Sequence, residues 1–180
     1  MNWLIASDIH GSAYYCEKVA EAFEREKADR LILLGDLLYH GPRNDLPKDY
    51  APKKVIGILN ALSASIFAVR GNCDAEVDQM VLTFPIMADY ALADIGGRTL
   101  FITHGHLFNE NVLPPHHAGD ILLHGHTHIA ACVLHEDYTY LNPGSVSLPK
   151  AGEGSYMTLK DGAFAWKNIE GGAVTREWRA

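Results

Sequence analysis

The chain has 180 residues, 48% of them hydrophobic and 21% charged, which suits one soluble globular domain and excludes a disordered, collagenous or coiled-coil chain. Its formal net charge is −7, with 22 acids against 15 bases, so long nucleic acid, which needs clustered Lys and Arg, is not an expected partner. Apolar runs such as 31–34 and 121–123 are far too short to cross a bilayer, and no basic stretch followed by an apolar one opens the chain, so no membrane partner is expected and the expected location is cytoplasmic.

Residues 2–7 form an apolar run expected to be a buried strand ending at Asp8. Ser12 is placed to cap a helix over about 13–27, whose apolar stripe is Tyr15, Val19, Ala22 and Phe23. Residues 30–34 read as a second buried strand, stopped by Gly35-Asp36. The polar stretch 40–52, with Pro42, Pro47 and Pro52, reads as a long ordered loop of the kind that often carries function. Pro52 suits the first turn of a helix reaching about Leu62, and a third strand, 65–70, is halted by Gly71-Asn72. Continuously apolar strands alternating with helices imply parallel pairing with both faces covered.

The second half changes character. Residues 100–102 and 121–123 read as buried strands, followed by short alternating strands near 130–135, 138–141, 155–160, 163–167 and 173–178. Asp161-Gly162 and Gly171-Gly172 are hairpin-type turns, so the last strands read as an antiparallel meander. The whole is expected to be a single α/β domain over 1–180, a parallel-led half packed on an antiparallel-rich half, with the meander edge open to homo-oligomerisation as a dimer or tetramer.

Ten histidines stand out, seven of them (His104, His106, His116, His117, His124, His126, His128) between positions 104 and 128. Neutral imidazole is the commonest metal ligand. The three cysteines, Cys16, Cys73 and Cys132, are scattered and suggest neither a disulfide framework nor a thiolate zinc site. Five expected strand ends finish with a metal-ligand residue, often beside glycine: Asp8-Ile9-His10-Gly11, Gly35-Asp36, Gly71-Asn72-Cys73-Asp74, Thr103-His104-Gly105-His106 and Gly125-His126-Thr127-His128. Ligands bind outside the carboxyl ends of strands in open α/β sheets, so these side chains can converge on one rim. The spacing of Asp8 and His10 puts both on one face if the strand continues. Asp8, His10, Asp36, Asn72, His104, His126 and His128 exceed the needs of one ion and fit two sharing a bridging carboxylate, the arrangement that clamps both oxygens of an in-line displacement at phosphorus.

Asp8-x-His10, Gly35-Asp36, Gly71-Asn72, His104 and Gly125-His126-x-His128 match, in order, the five motifs of the calcineurin-like metallophosphoesterases. The chain resembles the small bacterial and archaeal phosphodiesterase branch, through His40-Gly41-Pro42-Arg43-Asn44, Gly71-Asn72-Cys73-Asp74 and Asn142-Pro143-Gly144-Ser145. The resemblance implies a four-layer αββα sandwich of two mixed sheets. It implies one divalent ion held by Asp8, His10 and His128, another by Asn72, His104 and His126, and Asp36 bridging. A bridging hydroxide then attacks the phosphorus of a small phosphodiester. Mn²⁺ is the expected ion, with Fe²⁺, Zn²⁺ and Ni²⁺ as alternatives. Many relatives have His where Cys73 stands, and a thiol is a poorer match than imidazole for protonating a leaving group. Asn72 and Cys73 are therefore the candidate catalytic positions, and His40, Arg43, Asn72 and His106 the candidate substrate contacts. His124, in an apolar strand, reads as a core histidine, and His116 and His117 as solvated loop residues. Two other readings are a non-catalytic interaction scaffold of the same fold, like the retromer subunit, and a broader phosphomonoesterase or nuclease.

Overall fold

The computed structural model describes residues Met1–Ala180. Strand β1 (Asn2–Ala6) leads into helix α1 (Ala13–Glu26). Ser12 caps α1, its hydroxyl accepting from the Tyr15 N–H at 3.2 Å, and Lys27 ends it in the left-handed conformation at φ 50°. After β2 (Arg30–Leu33), α2 (Pro52–Ala61) opens on its proline, and β3 (Ile66–Ala68) and the single-turn α3 (Glu76–Gln79) follow. Eight strands complete the chain: β4 (Tyr90–Ile95), β5 (Arg98–Thr103), β6 (Asp120–Leu123), β7 (Ala130–Leu134), β8 (Tyr138–Pro143), β9 (Ser155–Lys160), β10 (Ala163–Asn168) and β11 (Val174–Arg179).

The strands form two mixed sheets. The first has the order β11-β10-β9-β1-β2-β3, and the second β4-β5-β6-β8-β7. Strands β1, β2 and β3 are parallel, as are β5, β6 and β8. Period-two alternation divides the side chains of the first sheet. Leu4, Ala6, Leu31 and Leu33 pack with Val19, Phe23, Val55 and Leu59 under α1 and α2, whereas Ile5 and Ile32 face Leu100, Ile102, Ile121 and Leu123 of the second sheet. On the far face of the second sheet, Leu122, Tyr138 and Tyr140 pack with Phe101, and Phe108 and Pro114 from the 105–119 segment lie over it.

The architecture is the two mixed sheets with flanking helices that the resemblance implies, but the strands are shared out differently from the sequence expectation. The expected meander is divided: β7 and β8 join β6, while β9, β10 and β11 extend the first sheet beyond β1. Each half is thus mixed, and neither is parallel-led or antiparallel-rich alone. Strand β3 is an edge, so Phe67 stays 62% exposed instead of covered on both faces. Strand β4 and helix α3 have no counterpart in the sequence reading. Strand β4 lies at an edge with Tyr90 and Leu92 turned outward, so it carries no clear period-two signal.

Candidate metal centre

All five ligand-bearing strand ends open on one rim. Strand β1 does not continue to Asp8, so the two-residue spacing is not a strand face. Asp8 and His10 instead adopt left-handed conformations, at φ 59° and 50°. Asp36, His126 and His128 do the same, at φ 56°, 64° and 60°. Such backbone costs on the order of 1 kcal/mol or more for each non-glycine residue and persists where surrounding contacts dictate it. Those contacts are present. The His10 N–H donates to Asp36 O at 2.9 Å, the Gly125 N–H to His104 O at 2.9 Å, and the His126 N–H to Asp8 Oδ2 at 3.1 Å.

Three imidazoles are fixed by backbone carbonyls. Nδ1 of His10 meets Tyr39 O at 2.8 Å, that of His104 meets Leu34 O at 2.6 Å, and that of His128 meets Leu148 O at 2.7 Å. Each Nδ1 is the donor, so in the neutral ring each Nε2 presents a lone pair inward. The Nε2 atoms of His10 and His128 are 3.1 Å apart and lie 3.6 and 3.3 Å from Asp8 Oδ1. That oxygen is buried and has no hydrogen-bond partner. Lone pairs and a carboxylate oxygen converging in this way repel one another unless a cation sits among them, so the donor set fits a metal ion.

The second group mirrors the first. His104 Nε2 is 3.1 Å from Asn72 Oδ1, 3.2 Å from His126 Nδ1 and 3.5 Å from Asp36 Oδ2. Asp36 Oδ2 is also 3.6 Å from His10 Nε2, so it faces both groups. The other oxygen, Oδ1, accepts the Cys73 N–H at 2.8 Å. Burial raises the Asp8 carboxyl, but the imidazoles of His10, His128 and His104 around it outweigh that and hold the group far below the usual carboxylate range. For His126 both burial and the neighbouring His104 disfavour protonation.

The protonation of His104 has a measurable consequence. Burial opposes its charge, yet Asp36 and Asp8 outweigh that and push its pKa up to about 9. A cation that took His104 as a ligand at neutral pH would displace this proton. Affinity for a divalent ion should therefore rise with pH below about 9 and level off above, about tenfold per unit for each proton displaced. Calorimetry at pH 7 in two buffers of different ionisation enthalpy should show at least one proton released, and no release would contradict this arrangement.

A cleft of about 530 Å³ lies over the cluster, with His10, Asp36, Asn72, His126 and His128 on its floor. Arg43 and Cys73 line it. Burial and the adjacent Asp36 push the Cys73 thiol up to about 12, so it is held protonated. His40 is not at the cleft: its ring packs between Tyr39 and Tyr50, with centroids at 4.8 and 5.2 Å. His106 stands outside the cleft lining, with its ring centroid 5.4 Å from that of His104. His124 is buried and stacked on Tyr140, and burial lowers it to about 4, which is the core role expected of it.

Several supporting residues escape the sequence reading. Asp74 is buried and accepts from the N–H groups of Asp36, Leu37 and Gly71 at 2.8, 2.9 and 2.8 Å, binding two ligand-bearing loops together. The segment 142–150 supplies no expected ligand, yet it fastens two, Asp8 and His128, and the glycine before a third. The Asn142 amide donates to Gly125 O at 2.8 Å, and the hydroxyls of Ser145 and Ser147 donate to Asp8 O at 2.9 and 2.8 Å. Leu148 O holds His128, as above. The only sequence signal for these residues is the Asn-Pro-Gly-Ser run itself.

Comparison with known proteins agrees with this geometry. The family model for the calcineurin-like phosphoesterase superfamily domain matches residues 1–161. Phosphodiesterase YfcE of Escherichia coli strain K12 is 49% identical over 161 residues, covering 89% of this chain and 88% of that protein. The solved structure of YfcE, a phosphoesterase from E. coli, superposes with a TM-score of 0.95 at 43% identity, covering 99% of both chains. Vacuolar protein sorting 29 from Cryptosporidium parvum shares the fold, with a TM-score of 0.62 at 18% identity over 99% of this chain and 98% of that one. With the five strand-end motifs gathered on one rim and the family model spanning most of its length, the chain belongs to the calcineurin-like phosphoesterase superfamily.

Proposed function

We propose that this chain is a metal-dependent phosphodiesterase that hydrolyses small phosphate diesters at a two-cation site. The observation that carries the reading is the placement of Asp36, whose Oδ2 lies 3.6 Å from His10 Nε2 and 3.5 Å from His104 Nε2. One buried carboxylate thus faces two groups of candidate ligands: Asp8, His10 and His128 on one side, and Asn72, His104 and His126 on the other. Two divalent ions, Mn²⁺ in our reading with Fe²⁺, Zn²⁺ and Ni²⁺ as alternatives, would activate water and offset the charge developing on the phosphoryl oxygens.

The chain's own residues bind and orient the ester. Arg43 projects into the cleft without a carboxylate partner and is suited to a non-bridging phosphoryl oxygen. Asn72 turns its carbonyl toward His104 and its NH₂ toward Cys73 Sγ, at 3.2 Å. Cys73 is too weak an acid to protonate a leaving group readily. Rates should therefore fall steeply as leaving-group pKa rises, and Cys73→His should raise turnover of an alkyl diester by about tenfold or more while changing an aryl diester less. A dependence on leaving-group pKa unaltered by Cys73→His would remove this role.

The test of the reading is reconstitution with Mn²⁺ and assay against a panel of mono-, di- and cyclic phosphates, with aryl diesters turned over fastest. Two bound ions with no turnover of any ester, whichever divalent metal is used, would replace it with the interaction-scaffold reading. The acidic surface supports a small substrate over long nucleic acid. Homo-oligomerisation through the exposed β11 edge and a cytoplasmic location complete the reading; a concentration-independent monomer in sedimentation would remove the former.

A further inference from the structure

We infer that Lys150 forms a binding subsite for a second anionic group on the substrate, so that the preferred diester carries a carboxylate or phosphate on the arm that does not leave. The inference rests on the phosphodiesterase reading and adds a substrate class to it.

Lys150 lies in the loop between β8 and β9 and lines the cleft beside Thr127 and Ile129, whereas Arg43 comes from the 40–52 loop with Gly41 and Pro42. Its backbone is fixed to the floor of the site. The Lys150 N–H donates to His128 O at 3.0 Å, and the His128 ring is held in turn by Leu148 O at 2.7 Å. The base of the lysine side chain and the His128 imidazole therefore keep a set relation, and only the flexible stem adjusts.

Charge supplies the second part of the argument. In a chain with 22 acids, no carboxylate except Asp36 lines the cleft, and neither Arg43 nor Lys150 makes a salt bridge. A phosphodiester carries one negative charge. Two divalent ions facing Asp8 and Asp36, together with the hydroxide they would supply, would already balance that charge, and Arg43 adds an excess. A further ammonium group beyond the floor thus has no counterpart on a singly charged ester. The half-exposed Ile129 lines the same cleft and offers the arm a short apolar surface. An anion a few bonds from the reacting phosphorus fits this set of groups.

The test uses the full-length, manganese-loaded protein and three p-nitrophenyl diesters with the same leaving group. Their second arms are butyl, 3-carboxypropyl and 3-phosphonopropyl, and bis-p-nitrophenyl phosphate serves as control. The wild type should favour the two anionic arms over butyl by about tenfold in kcat/KM, mostly through KM. Lys150→Met should bring that ratio close to one, and Lys150→Arg should keep it. The carboxylate and phosphonate arms, compared with each other, identify which anion the subsite takes. Equal kcat/KM for all three esters, or a ratio that survives Lys150→Met, would overturn the subsite while turnover of the control left the phosphodiesterase reading standing. No turnover of any ester, control included, would overturn both.

Discussion

Replacing Asp36 with asparagine should lower manganese-dependent hydrolysis of an aryl diester by about a thousandfold or more, with the fold intact. The reason lies in the hydrogen bond at the other oxygen. Oδ1 accepts from the Cys73 N–H at 2.8 Å, and an asparagine keeps that bond only by placing its carbonyl there. Its NH₂ then occupies the Oδ2 position, between the Nε2 atoms of His10 and His104. A donor now points at two imidazole nitrogens where a ligand oxygen stood. The substitution removes the shared charge and also engages the lone pairs that a cation would use. Calorimetric titration with Mn²⁺ should show the loss of at least one of two bound ions, with an unchanged far-ultraviolet circular dichroism spectrum. Two ions bound at wild-type affinity would refute the bridging role.

The second large effect is expected at Gly125. A Cβ there would stand 1.9 Å from Ser7 Oγ and 2.8 Å from both Ser7 Cβ and Asp8 Oδ2. Ser7 is buried and its hydroxyl has no partner, so neither side can move into free space. Gly125→Ala should cost about 3 kcal/mol or more in urea unfolding. The first two of these contacts belong to one side chain, which makes the effect separable. Ser7→Gly removes both, so the double variant should recover at least about half of the loss despite the flexibility a second glycine adds. A double variant no more stable than Gly125→Ala alone would place the strain elsewhere, against Asp8.

The chemistry of the rim was far more legible in the sequence than the arrangement of the sheets. His104 follows its strand directly and Asp8, Asp36, Asn72, His126 and His128 lie within five residues of a strand end, and that end is marked by the abrupt change from apolar to polar residues. Which sheet a strand joins has no such mark. The run at 130–134 is wholly apolar and that at 155–160 mixes Ser, Thr and Lys with apolar residues, yet β9 is buried because it lies between β1 and β10, while β7 is a half-exposed edge. Alternation tells which side of a strand is wet and says nothing about its neighbour. Likewise the sequence around Asp8 gives no warning of a left-handed backbone, since the contacts that hold it come from Gly35, Ser145 and Ser147, all distant in sequence from Asp8. The 40–52 loop shows the same limit. Both His40 and Arg43 are plausible anion contacts by type, and only the packing of His40 between two tyrosines separates them.

The two sheets contribute to the rim in nearly equal measure. Asp8, His10, Asp36 and Asn72 follow strands of the first sheet, and His104, His126 and His128 follow strands of the second. Ions held there would rivet one sheet to the other at the end of the sandwich where the apolar layer stops. Ligands that bind only the folded protein stabilise it by mass action, about 2.7 kcal/mol at a hundred times the dissociation constant. In this protein that gain would fall on the seam between the sheets. A chelator would accordingly loosen the seam first and leave the hydrogen bonding within each sheet in place, which ties the mechanical integrity of the molecule to the metal supply around it.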